Sequence, residues 1–255
     1  MLHQFSRNEL VIGQEGLNIL KNSRVGVLGM GGVGTFAVEA LARSGVGSFV
    51  IMDKDSIDIT NVNRQIHATT KTVGLSKVDE MRKRILDINP EAEVIAIHDF
   101  YTEETFEKFY EKKLDFVIDA CDTIKYKIHL IDYCLRNKIK FISVMGAANK
   151  IDPTKFQIAD ISKTKICPLA KVIRLHFKKL KSKGKIPVVF STESPLVPRE
   201  EYIEKIGNQN SDIRKAQLPP SSNAFAPSTA GLIAASYVYR ELLKTVELRT
   251  IEKNN

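Results

Sequence analysis

The chain has no paired cysteines at metal-binding spacing and no long apolar run. Its 255 residues contain three scattered cysteines, Cys121, Cys134 and Cys167, and no CxxC pair. That odd set argues against a disulfide framework and a four-cysteine zinc site. No stretch reaches the roughly 18 apolar residues of a membrane span. Residues 1–9 are polar and broken, without the basic start and apolar core of a signal peptide. A cytoplasmic protein is therefore expected. There is no internal repeat. With 43% hydrophobic and 27% charged residues, the composition is that of an ordinary globular protein. The length suits one large α/β domain, or such a domain with an appended lobe.

Acidic residues are missing from one particular stretch. Residues 162–185 carry nine Lys or Arg and no Asp or Glu, so the net charge of +8 is concentrated there. A localised field of this kind suits a polyanion such as RNA. The competing reading is a solvated basic face, since no aromatic-rich RNA platform accompanies it.

Residues 24–55 organise the rest. A short β-rich run (Val25, Val27, Leu28) leads into Gly29-Met30-Gly31-Gly32-Val33-Gly34. An alanine-rich amphipathic segment and a second apolar run then end at Asp53. Strand, glycine turn, helix, strand and acid together make a nucleotide-binding β-α-β signature. Gly29 permits the turn, Gly31 lets backbone N–H groups approach a phosphate, and Gly34 allows close helix packing. Asp53, nineteen residues past Gly34, is placed for a ribose. The turn alone leaves NAD and ATP both open.

Ahead of it, residues 8–21 read as two helical pieces broken at Gly13, with Leu10, Val11, Leu17 and Leu20 as apolar positions and Arg7 just before. After Asp53 and Asp55, residues 59–68 (ITNVNRQIHA) form a polar loop at the ligand-binding edge of the sheet. There Asn61, Asn63, Arg64 and Gln65 are donors suited to phosphate oxygens. A helix is predicted over 73–88, with Lys77 near its start, where the helix dipole disfavours a cation unless an anion is close. A polar helix follows over 103–112, with Phe106, Phe109 and Tyr110 inward.

The strand over 114–120 leads to Asp119 and Asp122, which suit a Mg²⁺ carried by nucleotide phosphates; helix capping by Asp122 is the alternative. The helix over 123–136 should turn Ile124, Ile128, Ile131 and Leu135 inward. Beyond residue 153 come strands over 156–161 and 188–191, with a basic helix over 168–180 between them. Its Val172, Leu175 and Leu180 are expected to face the protein, and Lys171, Arg174, Lys178, Lys179 and Lys181 to be partly solvated. Residues 193–222, with four of the nine prolines, read as a loop or lid, and 227–243 as a closing helix.

The regular strand–helix alternation predicts an α/β, Rossmann-like doubly wound and mostly parallel sheet with helices on both faces. The expected division is a nucleotide-binding Rossmann-like domain over 1–153, which the resemblance below makes an ATP-binding adenylation domain, and a smaller C-terminal α/β extension over 154–255, with a flexible loop near 193–222, packed as one globular unit.

These motifs resemble the ubiquitin-activating-enzyme-like adenylyltransferases over nearly the whole chain, in GMGGVGTFAVEALARSGVG, MDKDSIDITNVNRQIHA, VGLSKVDEMRKRILDINP, VIDACDT, IDPTKFQIADISKT and PSTAGLIAAS. NVNRQIHA with EALARSGVG, and the lack of CxxC, resemble the branch that cyclises threonylcarbamoyladenosine in tRNA more than the branch that activates sulfur-carrier proteins, which stays as the alternative. The resemblance implies ATP and Mg²⁺ as cofactors and places Gly29, Gly31, Gly32 and Gly34 in the ATP cradle, Asp53 on the ribose and Asp55 near the nucleotide. It assigns ATP or phosphate contacts to Asn61, Arg64, Gln65 and Lys77, Mg²⁺ and adenylation to Asp122, and a contact across a homodimer interface to Arg7. It implies tRNA as substrate, for which Lys171, Arg174, Lys178, Lys179 and Lys181 of the basic stretch are the candidate contacts, and it leaves a sulfur-transfer protein partner open. The sequence departs from the family at Thr35, where many relatives have Ser, and at Cys167, where Asp is usual. A thioester or persulfide relay through Cys167 is weighed there against a buried, incidental thiol.

Overall fold

The computed structural model describes residues 2–206 and 220–249. Seven strands form one sheet: β1 (Arg24–Leu28), β2 (Ser48–Met52), β3 (Glu93–Ile97), β4 (Phe116–Asp119), β5 (Phe141–Val144), β6 (Phe156–Asp160) and β7 (Pro187–Ser191). Their order is β3-β2-β1-β4-β5-β7-β6. Every pairing is parallel except β6 with β7. The protein is thus an α/β Rossmann-like fold. Its strand order reverses between β1 and β4, where doubly wound sheets open a ligand crevice. β6 and β7, from the expected C-terminal extension, continue the same sheet through β5.

The strands are apolar throughout because both faces are covered. Val25, Val27, Phe49 and Ile51 point to one side, beneath α2 (Gly34–Arg43), α3 (Lys77–Ile88) and the closing helix. Leu28, Val50, Met52 and Val117 point to the other, beneath α4 (Phe106–Tyr110), α5 (Ile124–Asn137) and α6 (Pro168–Lys179). The closing helix, α8 (Phe225–Leu242), runs against α2, where a Cβ on Gly231 would lie 2.2 Å from the Val33 carbonyl oxygen. Only glycine allows that approach. Arg84 of α3 clamps Glu39 of α2 with two bonds of 2.5 and 3.0 Å, tying the helices that flank the glycine turn.

Several local expectations are corrected. α1 (Ser6–Lys21) does break at Gly13, where φ is 65°, but it buries Ile12, Gly16, Leu17 and Leu20 while Leu10 and Val11 stand exposed. α3 begins only at Lys77, because the Ser76 hydroxyl caps it through the Asp79 N–H. The polar helix over 103–112 shrinks to the five residues of α4. α5 buries Lys127, Leu130, Ile131 and Cys134, leaving Ile124 exposed. α6 buries Ala170, Ile173 and Phe177; Val172, Leu175 and Leu180 face solvent instead of the protein. In α1, α5 and α6 more than one apolar row is available at helical spacing, and the tertiary contacts select one. Within the expected lid, Glu200–Ile206 is a helix, α7, and residues 207–219 fall outside the described residues. No helix among the described residues is long and apolar enough to cross a membrane.

Candidate active site

The glycine turn sits at the C-terminal edge of β1, at the switch point. Gly29 has φ of 94°, and a Cβ there would meet the Ala120 carbonyl oxygen at 2.9 Å. Gly34 packs so tightly that a Cβ would lie 1.8 Å from the Gly29 carbonyl oxygen. Gly32 lies against the Arg64 carbonyl and Pro227, each 3.1 Å from its would-be Cβ. A Cβ on Gly31 would meet nothing within 4 Å among the described residues, so its outer side is open. This is a cradle in which three glycines meet protein and one faces free space.

Asp53 closes the turn from beneath. Its carboxylate accepts from the Met30 N–H at 2.6 Å and the Asp55 N–H at 2.8 Å. Burial raises its pKa, against the opposing pull of Lys77 and the two backbone donors. Asp55 accepts from Lys54 at 2.6 Å and from Lys77 at 3.1 Å. Burial works to raise its pKa, but these two lysines outweigh it and hold the carboxyl below its ordinary value. Asp122, exposed just after β4, acts electrostatically on Lys54 together with Asp53 and Asp55. The N-cap of α5 is Thr123, with no side-chain capping bond.

The polar loop folds as a 3-10 turn, Ile59–Asn61, capped by Asp58. Asn61 is buried, and its side chain accepts from the Asp58 N–H at 3.1 Å. Arg64 is half-buried; it donates to the Thr60 carbonyl and the Asn63 side chain, with no carboxylate partner among the described residues. Burial lowers its pKa. Gln65 and His67 are both buried; among the described residues Gln65 Oε1 has no hydrogen-bond partner, and the His67 ring makes none of good geometry, with the Met30 backbone as its nearest polar neighbour. Such orphaned polar atoms beside an open cradle fit a site that a polar ligand completes. The cations are arranged for anions: Arg64 and Lys77 carry positive charge, and among the described residues the one carboxylate in ion-pair contact with Lys77 is shared with Lys54.

Arg7 does not join this site within its own chain. Phe5 lies against Gly45, and Asn8 is anchored to the Ser44 carbonyl and Tyr239. These contacts hold the start of α1 at the end of α2 remote from the glycine turn, about 15 Å of helix away. Asp119, paired with Asp122 in the sequence reading, is also withdrawn. It is fully buried and bonded to Lys127 at 2.7 Å and Ser143 at 2.6 Å, so it is no metal ligand. Lys54, His67 and Lys127 were missed. A lysine in register with Leu130, Ile131 and Cys134 was the available signal for the last.

Cys167 is 2% exposed ahead of α6, as a buried thiol rather than a presented one. Burial, and then Asp119, raise the Cys121 pKa far above that of a free thiol. A groove of about 560 Å³ lined by Ser23, Asp115, Tyr133 and Lys140 lies at the opposite edge of the sheet, where the strands begin, not where such folds bind ligands.

A doubly wound sheet with a glycine cradle and flanking cations at its switch point defines a nucleotide-binding α/β protein. The ThiF family model matches residues 5–252, and the chain belongs to that family. It is 61% identical over 252 residues to the tRNA threonylcarbamoyladenosine dehydratase of Bacillus subtilis (strain 168), covering 99% of each chain. It is 40% identical over 205 residues to the Escherichia coli (strain K12) protein of the same name, covering 78% of this chain and 76% of that relative. It is also similar to the crystal structure of E. coli tRNA N6-threonylcarbamoyladenosine dehydratase, TcdA, in complex with ATP, with a TM-score of 0.83, 34% identity and coverage of 95% and 94% of the two chains.

Proposed function

We propose that this protein is an ATP-dependent dehydratase that cyclises N6-threonylcarbamoyladenosine in tRNA. The observation that carries the reading is the open cradle at Gly31 with Arg64 and Lys77 beside it, in a chain 61% identical end to end to a dehydratase of that name. ATP lies across the glycine turn, with its ribose at Asp53 and its phosphates towards Arg64, Lys77, Asn61 and Gln65. Among the described residues no group of three or more His, Cys, Asp or Glu side chains is arranged to hold a metal ion by itself. Asp122, exposed just after β4 and close to Lys54 with Asp53 and Asp55, fits the single protein carboxylate that a Mg²⁺ carried by nucleotide phosphates would take. The ion neutralises phosphate charge when bound.

The substrate carboxylate is a poor electrophile. Its oxygen attacks the α-phosphorus of ATP, pyrophosphate leaves, and an acyl-adenylate forms. The carbamoyl group of the same substituent then attacks the acyl carbon, loses a proton and expels AMP, so the nucleoside loses one water in all. Arg64 and Lys77 offset the charge that builds on the phosphates. Holding both reacting groups on one base makes ring closure intramolecular.

Arg7 reaches a phosphate only from a second copy, so the active form is a homodimer. Exposed Leu10 and Val11 beside it on α1 supply apolar surface for that interface. The tRNA backbone follows the basic residues Lys171, Lys178, Lys179 and Lys181, and the setting is the cytoplasm. The test is incubation with ATP, Mg²⁺ and tRNA carrying the linear modification, followed by nucleoside mass spectrometry. Loss of one water, dependent on ATP, is expected; an unchanged nucleoside would sink the proposal.

A further inference from the structure

Three side chains beneath the cradle have no part in the chemistry above. Asp119 ends β4, in register with Leu28 of β1 and Ser143 of β5. Lys127 reaches it from α5, and the side chains of Asp119 and Lys127 are 0% exposed. Asp119 Oδ2 accepts from Lys127 at 2.7 Å and from the Ser143 hydroxyl at 2.6 Å, and Oδ1 accepts from the Cys121 N–H at 3.2 Å. The Lys127 ammonium spends its other two protons on Ser143 Oγ at 3.2 Å and the Val144 carbonyl at 3.0 Å. All three of its donors are used.

We infer that Asp119 and Lys127 are positioning residues: through the Cys121 N–H they set the 120–122 loop, and with it Asp122 and the back wall of the glycine turn. The inference rests on the ATP-dependent reading above. A fully buried ion pair is an expensive way to stabilise a core, because apolar side chains of similar volume do as well or better. What it supplies here is a fixed place for one particular loop. Ala120 donates its N–H to the Leu28 carbonyl at 2.9 Å. The same loop presses on the turn, with the Ala120 carbonyl oxygen 2.9 Å and the Cys121 nitrogen 3.1 Å from a Cβ on Gly29, and with Ala120 Cβ 3.4 Å from one on Gly34. A shift of the loop therefore displaces the cradle and the carboxylate that follows it together. The pair ties both to the sheet, across β1, β4 and β5, at the switch point.

The test is the double variant D119N/K127M. It removes both charges, roughly keeps the volume and retains an acceptor for the Cys121 N–H. Its thermal midpoint should stay within a few degrees of wild type. Its calorimetric affinity for ATP-Mg²⁺ and its kcat for water loss should each fall about ten- to hundred-fold, with KM for the modified tRNA unchanged. A folded double variant with wild-type ATP affinity and kcat overturns the inference, since a merely structural pair would leave both untouched. Should the double variant not fold, K127R keeps the charge but moves its donors; a loss of ATP affinity is expected there too, and wild-type affinity and kcat would again overturn the inference. Wild-type protein that binds ATP yet releases no water from the tRNA would defeat the proposed function alone, and the ATP affinities of the variants would still judge the pair.

Discussion

Lys77 Nζ donates to Asp55 Oδ2 at 3.1 Å from a residue only 6% exposed, while Lys54 holds the other oxygen of the same carboxylate at 2.6 Å. Asp55 therefore remains paired when Lys77 turns to a phosphate, and the buried cation can be lent to the nucleotide at small cost. Lys77 is also the first residue of α3, where the helix dipole opposes a positive charge. K77M should accordingly change stability by no more than about 1 kcal/mol. It should slow ATP-dependent water loss about 100- to 1000-fold, the scale of a lost transition-state cation or donor. Single-turnover rates with modified tRNA check this, and a near wild-type rate would remove Lys77 from the chemistry.

Two glycines of the turn should separate folding from binding. G34A puts a methyl group 1.8 Å from the Gly29 carbonyl oxygen, so backbone must move. A loss of about 3 kcal/mol or more is expected in denaturant unfolding. G31A meets nothing within 4 Å and needs no positive φ, so stability should stay within about 0.5 kcal/mol of wild type. Yet the methyl group enters the space proposed for phosphate. ATP affinity should fall about ten-fold or more, equivalent to one lost backbone contact of about 1.4 kcal/mol. Equal ATP affinity in G31A and wild type would show that the nucleotide passes elsewhere.

What was legible in the sequence was local. The glycine turn, Asp53, the Arg64 loop and the strand–helix alternation are each written within a few residues. Their chemistry follows from backbone freedom, charge and period. The sheet order is not local, and neither is the buried cluster of Asp119, Lys127 and Ser143, whose members meet only once β4 lies between β1 and β5. Lys127 was passed over because a lysine does not count towards an apolar stripe. The expected row of Ile124, Ile128, Ile131 and Leu135 holds at Ile131, with Ile128 and Leu135 packed at the margin of the core, but Ile124 is exposed and the most buried row is Lys127, Leu130, Ile131 and Cys134. In α6 the large aliphatic side chains suggested the inner face, but Ala170 and Ile173 are fully buried and Leu175 is 53% exposed. Where two rows have similar hydrophobicity, only the partner surface decides between them.

His67 should make stability depend on pH in mild acid. Burial first, then the charge of Lys77, lowers its pKa from 6.5 to about 4. As pH falls below about 6.5 the unfolded chain takes up the proton while the folded chain does not. The contribution is therefore complete above that pH and drains away towards about 4, by about 3 kcal/mol in all. H67Q has no such proton to take up. Its thermal midpoint should fall less than that of wild type between these two pH values. Parallel curves for the two proteins would show that the imidazole is not kept neutral by its surroundings.

The basic residues of α6 and the segment after it divide by structure into two sets. Arg174 is tied to Thr164, donating to its carbonyl oxygen at 2.8 Å and its hydroxyl at 2.6 Å, whereas Lys178, Lys179 and Lys181 are exposed and form no ion pair among the described residues. If the tRNA backbone follows this surface, the exposed lysines carry the electrostatic attraction and Arg174 ties α6 to the loop at Thr164. The triple variant K178Q/K179Q/K181Q should bind modified tRNA more weakly and reduce the slope of log affinity against log salt by about 2 to 3. R174Q should lower the thermal midpoint and change that slope less than the triple variant does, because it removes a single charge from a half-buried side chain held against Thr164. Filter binding or anisotropy across a salt series reads both. A triple variant with the wild-type slope would mean that phosphates do not touch these lysines, and the exposed Val172, Leu175 and Leu180 among them would then mark a surface for a different kind of contact.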